Sequence, residues 1–320
     1  MRPRIFISGE CWLVGPRRML VKFLSLTPSL KNSISSGSHG FRQRCILTEL
    51  NKTATLIGPI YTSLTNQSRL MLPLTPQDFT FQLSRNAFVL RSSHATQRFR
   101  VKIEDMKLIL CRVKVNPSVS LEVEKRLNQK AALYPIRKAS TRALTISAGQ
   151  KFYEADNLFP SQVVPKDLLI AFNHTTAVQG VQNRSPFNFQ PFGIESLKVT
   201  VDGHVYPSPF GFERLVWDGR EMNFSLAYLS LFDYDVNVNE GLLLNLTEFV
   251  NSYCIFRLTL GHFPNALYDH REITKVANAR LTVTFGAETD NPALTALIWT
   301  ETDSTIAITS SRELLKDFTS

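Results

Sequence analysis

From residue 41 onward apolar and polar side chains alternate in short runs, and a period of two predicts strands rather than helices. The clearest case is Leu197-Lys198-Val199-Thr200-Val201, which turns at Asp202-Gly203 and returns through His204-Val205-Tyr206. Asp-Gly between two such runs predicts a two-residue hairpin, because a type I′ turn needs φ > 0 at both central positions. Further strands are expected at Phe79–Leu83, Asn86–Arg91, Phe99–Ile103, Lys107–Val115, Ile136–Ser147, Tyr253–Leu260 and Ala279–Gly286. Asp167–Phe172 is a nearly continuous apolar run, suited to a strand buried on both faces. Leu294–Thr300 and Thr305–Ser310 supply a last pair of strands, while Asn223–Phe232 and Glu240–Asn251 fit a short helix about as well as a strand.

The period changes at Asn116. Asn-Pro is a good helix start, with Asn116 as N-cap and Pro117 at the first helical position. Val119, Val123 and Leu127 then recur every four residues, with Glu122, Glu124, Lys125 and Arg126 off that stripe. This helix, ending before Tyr134-Pro135, reads as an insertion into a sandwich and not as part of a βαβ unit. Roughly eight short, turn-separated strands between Phe99 and Ser310 point to an all-β sandwich or barrel.

Composition narrows the class. At 320 residues, 43% hydrophobic and 20% charged, the chain is globular and holds two ordinary domains or one large β unit. No apolar run approaches the length of a transmembrane helix. The four cysteines, Cys11, Cys45, Cys111 and Cys254, form no CxxC pair, which excludes a zinc ribbon or finger; their spacing fits a reducing compartment and leaves disulfides open.

Charge is lopsided: residues 1–160 hold 25 Lys and Arg against 9 Asp and Glu, whereas residues 161–320 hold 11 against 18. The basic half, with Gln97–Lys102 and Cys111–Val115, offers weak non-specific phosphate contact, but no cluster of aromatics accompanies it for base recognition. A solvated strand face is the plainer account. Residues 1–40 are Arg- and Ser-rich with a single acid, Glu10, and read as an unmatched basic leader without stable structure. An organelle transit peptide and a non-native fused leader are both open readings.

The usual signatures of catalysis are missing. There is no Gly-rich phosphate loop and no GxSxG elbow. Of six scattered histidines only His262 and His270, with Asp269, make a candidate metal or acid/base cluster. Glu122 and Glu124 read as solvated helix charges. Six glycosylation sequons, at Asn51, Asn66, Asn173, Asn183, Asn223 and Asn245, keep an extracellular lectin- or cytokine-like jelly-roll module as the alternative function.

Several blocks, in order, resemble one family: Leu56–Leu90, Leu108–Arg137, Ser185–Val205 (SPFNFQPFGIESLKVTVDGHV), Tyr253–Leu260, and the closing ARLTVTFG and IWTETDSTIAI. They are similar to the double jelly-roll major capsid proteins of Polinton (Maverick) elements and their viral relatives, including the hexon-like proteins of adomaviruses. The resemblance covers about residues 41–315 and implies an antiparallel jelly-roll sandwich with short helical insertions. It divides the chain into terminal strands of a mostly missing first jelly roll (41–97), a whole second jelly roll (98–312) and a C-terminal tail (313–320). Implied with it are a hexon-like structural role without catalysis, cofactor, small-molecule substrate or membrane, and self-association as homotrimers that join other capsid subunits. The setting is a virion or the interior of a host cell, and the chain is expected to be a truncated or domesticated remnant. Phe187, Phe189 and Phe192 are then residues of packing and subunit contact, while Asp202, Gly203, Asn116 and Pro117 fix local structure.

Overall fold

A computed structural model of the chain describes residues 69–89, 102–109, 112–159, 163–181, 183–218, 220–232, 244–260, 276–286 and 292–316, together with 4–5, 13–14, 20–21, 58–60, 62 and 64. Among them, eight antiparallel strands build a sandwich. They are β1 (Ala132–Ile146), β2 (Phe152–Ala155), β3 (Asp167–His174), β4 (Ile194–Val201), β5 (His204–Tyr206), β6 (Ile255–Thr259), β7 (Ala279–Phe285) and β8 (Leu294–Ile308). One sheet has the order β1-β8-β3-β6 and the other β2-β7-β4-β5, and a further short strand, Leu314–Lys316, pairs antiparallel with the end of β8 at Ile306–Ile308. The pairs β1–β8, β2–β7, β3–β6 and β4–β5 are nested, as in one long hairpin rolled over itself. This is the jelly roll.

The core lies between the sheets. Leu168, Ile170, Phe172, Phe256, Leu258 and Ile298 face it from one side, and Leu197, Val199, Val201, Leu281 and Val283 from the other. Alternation along β4 puts Lys198 and Thr200 outward between these buried positions, as the sequence pattern requires. The Phe172 ring meets Phe256 edge-on at 6.3 Å, and Phe212 lies 5.3 Å from Phe256, so aromatic contacts tie the middle of the core together.

The short helices are α1 (Asn86–Val89), α2 (Pro117–Gln129), α3 (Thr175–Gln179), α4 (Ser225–Ser230) and α5 (Leu246–Ser252). The two ambiguous stretches thus contain helices; Asn245 and Glu248 cap α5 reciprocally. α2 starts where Asn-Pro places it but precedes β1 and does not interrupt the sandwich. Its stripe is partly used: Leu127 is buried, Val123 packs beside it, and Val119 is exposed.

Several other expectations change. Leu294–Thr300 and Thr305–Ser310 are one fifteen-residue strand, because the polar stretch 301–304 is held across β1. Arg137 pairs with Glu301 at 3.2 Å, and Thr302 Oγ1 donates to the Lys138 carbonyl at 3.3 Å. Within Asn86–Arg91 the described residues form the single turn α1, which brings Phe88 onto Phe187. Among the described residues of Lys107–Val115 the strands are Leu108–Ile109 and Arg112–Val113, and within Phe79–Leu83 the strand is Phe79–Thr80. Phe99–Arg100–Val101 lie outside the described residues, and Lys102 and Ile103 carry no strand. Within the first forty residues, Arg4–Ile5 pairs with Phe79–Thr80, Leu13–Val14 with Arg112–Val113, and Leu20–Val21 with both Gly58–Pro59 and Leu108–Ile109.

Residues 71–89 form a strap along the sandwich. Pro73, Thr75, Gln77, Phe79 and Phe81 are at least half-buried and alternate with exposed Leu74, Pro76, Asp78, Thr80 and Gln82. At one end the Tyr134 hydroxyl accepts from Leu72 N at 3.2 Å and donates to the Leu70 carbonyl at 3.0 Å. At the other, Phe88 stacks edge-on with Phe187 at 5.6 Å, beside α3. Tyr134 and His174 lie at opposite ends of the β1-β8-β3 ladder, about 40 Å apart along a strand. The chain from Leu72 to Phe88 reaches at most about 55 Å, so the strap runs nearly extended over the sheet's length. Met71 and Leu72 join Leu127, Tyr134 and Ile308 in a second, smaller core.

Candidate functional site

The three phenylalanines sit on the loop between α3 and β4, at one end of the sandwich. Ser185 shapes the loop: it is buried, its hydroxyl accepts from Phe187 N at 3.3 Å, and its carbonyl accepts from Asn173 Nδ2 of β3 at 3.0 Å. Phe189 is stitched by its backbone to the end of α5, donating to the Ser252 carbonyl and accepting from Cys254 N, each at 3.1 Å. Phe192 adopts φ 50° at the entry to β4, with its ring 4.9 Å from His174. Burial lowers the His174 pKa from its ordinary value, and the positive charge of Arg184 adds to that. Phe189 and Phe192 therefore bind the loop to the sandwich. Phe187, 41% exposed against Phe88, is the one presented outward.

Asp202 and Gly203 occupy the opposite end of β4, with φ of 48° and 85° as a type I′ turn requires. Asp202 N donates to the Asn278 carbonyl at 3.2 Å and Asp202 Oδ1 accepts from Asn278 N at 3.3 Å, which fixes the hairpin tip to the entry of β7. Asn116 Oδ1 accepts from Ser118 N at 3.2 Å and caps α2, with Pro117 at its first position. The sequence-derived positions thus fall at three separate places and converge on no reacting group.

Beside the Asp202 turn the outer face of β2, β7 and β4 forms a shallow hollow of about 690 Å³, lined by Glu154, Asp156, Lys198, Thr200 and Arg280. Arg280 bridges Asp156 at 2.6 Å and Glu154 at 2.9 Å, and those two carboxylates raise its pKa further, the Asp156 hydrogen bond foremost. The charges of Arg280, Glu154 and Asp156 satisfy one another. His262, Asp269 and His270 lie outside the described residues, as do Cys11, Cys45 and Cys111. Among the described residues no group of three metal-ligating side chains gathers. Cys254 is buried in the core, where burial pushes its thiol pKa up and keeps the thiolate from forming.

Two charge and sequon readings sharpen. Glu122 pairs with Arg126 at 2.9 Å on the helix surface, but Glu124 is not merely solvated: it holds Arg312, which follows β8. Asn173 is 1% exposed and bonded to Ser185, so folded chain offers no glycan site there; Asn183, Asn223 and Asn245 are exposed, and Asn51 and Asn66 are outside the described residues. Among the described residues no helix is long and apolar enough to cross a membrane.

Sequence reasoning missed the outer face of the β1-β8-β3-β6 sheet. Register places Ala143, Leu297, Ala171 and Ile255 in one row across all four strands, and Thr141, Trp299, Leu169 and Arg257 in the next. This face points away from the core yet is largely apolar. It ends at a buried ion pair, Arg257 Nη2 to Asp167 Oδ1 at 2.9 Å, with Thr259 Oγ1 donating to the same carboxylate at 3.3 Å. The signal was present in Asp167–Phe172, whose apolar residues occupy both faces.

The fold is an antiparallel jelly-roll sandwich. No family model matches the chain. It is 25% identical over 230 residues to the uncharacterized protein F54H12.2 of Caenorhabditis elegans, a match covering 71% of this chain and 47% of that protein, so the chain spans about half the length of the curated relative. Among solved structures it is similar to a chain of the Sputnik virophage (14% identity, 82% of this chain, 55% of that one, TM-score 0.49). It is similar also to a chain of the PBCV-1 virus capsid (12%, 83% and 71%, TM-score 0.49) and to mavirus major capsid protein (13%, 69% and 48%, TM-score 0.33).

Proposed function

We propose that the chain is a structural subunit of the capsid type, a building block with no reaction to catalyse, related to the double jelly-roll proteins of Polinton elements and adomaviruses. The observation that carries this reading is the strap. A complete eight-stranded jelly roll has a strap that spans its length between Leu72 and the α1 turn, and a small second core at one end, as expected where another β unit packs beside it. On this reading residues 41–97 are the last strands of a first jelly roll, 98–312 are the second, and 313–320 form a tail, while residues 1–40 precede both and lend short strands to each. The exposed Phe187 is a surface for contact between subunits.

Copies associate as trimers that join other capsid subunits, in a virion or inside the host cell, and the basic half adds weak, salt-dependent nucleic-acid contact. Light scattering on purified chain, alone and with a complete first jelly roll supplied in trans, is the test. Trimers in either sample support the reading; monomer in both overturns it.

A further inference from the structure

The sheet β1-β8-β3-β6 ends in two unlike edges. α4 lies against β6 and covers that side. β1 is fifteen residues long and pairs with β8 along one side without a register shift. Thr300 Oγ1 and Thr302 Oγ1 reach across from β8 to the carbonyls of Ser140 and Lys138, at 3.4 and 3.3 Å. Even-numbered residues therefore turn their backbone groups toward β8, and odd-numbered ones turn theirs away. At one end Arg69 Nη1 donates to the outward Leu133 carbonyl at 2.6 Å. Farther along, the outward N–H and C=O groups of Ala139, Thr141, Ala143 and Thr145 meet no partner among the described residues, and their short side chains are exposed.

We infer that this edge pairs with the same edge of a second copy, antiparallel about a two-fold axis through Thr141. The inference rests on the reading of the chain as a self-assembling subunit and adds where two copies meet. Charge, backbone chemistry and the length of strand paired select the register: centred on Ala143 the overlap shrinks to residues 140–146, against 136–146 when centred on Thr141. Centred on Ala139, the pairing sets the Pro135 ring where the ladder needs an N–H. Centred on Ser140, it places Lys138 opposite Arg142; centred on Arg142, it places that residue opposite itself. Like charges directly opposed destabilise a ladder.

Centred on Thr141, Ala139 faces Ala143, Ser140 faces Arg142, Lys138 faces Leu144 and Arg137 faces Thr145, with no like pair opposed. Both sheets then continue into one another. A two-fold contact is isologous and closes on itself, so it would join capsomers while the trimer contact builds them.

The test uses the full chain carrying Thr141→Cys under mild oxidation by copper phenanthroline. On the axis the two Cα atoms lie about 5.5 Å apart, inside disulfide range. Mass spectrometry is expected to find the peptide pair linked between position 141 of one copy and position 141 of the other. That link is expected to be at least tenfold more abundant than the corresponding self-link in Ala139→Cys or Ala143→Cys. Mixing those last two variants is expected to restore linkage, between position 139 of one copy and 143 of the other, which guards against a folding defect peculiar to one variant. Thr141→Pro, which removes an outward N–H and leaves the β8 ladder intact, is expected to raise the dimer dissociation constant at least tenfold with an unchanged circular dichroism spectrum. Association without these links would overturn the edge contact and leave the subunit reading standing. Light scattering that finds only monomer at every concentration would overturn both.

Discussion

Tyr134→Phe separates the strap from the jelly roll. The hydroxyl it removes is the one that accepts from Leu72 N and donates to the Leu70 carbonyl, and Tyr134 is 3% exposed. The ring stays, so packing in the second core against Met71, Leu127 and Ile308 is kept. What is lost is the partner of a backbone donor on Leu72, itself buried, and of an acceptor at Leu70. Leaving a buried polar group unsatisfied costs about 1–3 kcal/mol, and because Leu70 is only half-buried and regains water, about 2 kcal/mol is expected for the pair. That corresponds to a roughly 30-fold larger population in which the strap is detached.

Native-state hydrogen exchange reads the difference by residue. Amides of 71–81 are expected to exchange roughly 30-fold faster in the variant, while those of β3, between β6 and β8, keep their rates. Unchanged strap exchange would show that the hydroxyl does not hold it. Equal acceleration in β3 would show that strap and sandwich are one cooperative unit, against the division proposed above.

Other perturbations probe the sandwich itself. Arg257→Ala strands the buried Asp167 carboxylate and is expected to destabilise by about 3–5 kcal/mol, read as a lower urea midpoint, whereas replacing both partners by Met and Leu is expected to be far milder. Gly203→Ala meets no neighbour within 4 Å but keeps φ +85°, and is expected to cost about 1–2 kcal/mol. Gly211→Ala is expected to be worse, since its Cβ would stand 2.8 Å from the Leu197 carbonyl oxygen, and thermal melts order the two. Burial raises the Tyr134 pKa above 10.0 despite the opposing Leu72 hydrogen bond and the Arg312 charge. The folded state thus holds this proton more tightly, so its contribution is fully present below pH 10 and lost as pH rises through the raised value. Alkaline titration of stability is expected to be shallower in Tyr134→Phe.

The hairpin at Asp202-Gly203 and the helix at Asn116-Pro117 were legible because each depends on a few adjacent residues with one strong local preference. The length of β8 was not, because Glu301, Thr302, Asp303 and Ser304 look like a turn until Arg137 and Lys138 are placed opposite them, more than 160 residues away. α1 was missed for a like reason: Phe88 takes its place from Phe187, which no local window contains. The Phe loop could be found from its composition, but which ring faces outward depends on the backbone bonds of Phe189 to Ser252 and Cys254.

The nested pairing has a kinetic consequence. β8 supplies the neighbour for the whole of β1 and the second neighbour of β3, so the sheet stays open until residues 294–308 arrive. Contacts of this sequence separation place the fold among slow folders, on the scale of milliseconds to seconds or longer. During synthesis β1, β2 and β4 must wait with their core sides uncovered while β7 and β8 are still being made, an interval in which chaperones would be needed most. Conditions that slow elongation between β4 and β8 would therefore lower the yield of folded chain without touching its final stability.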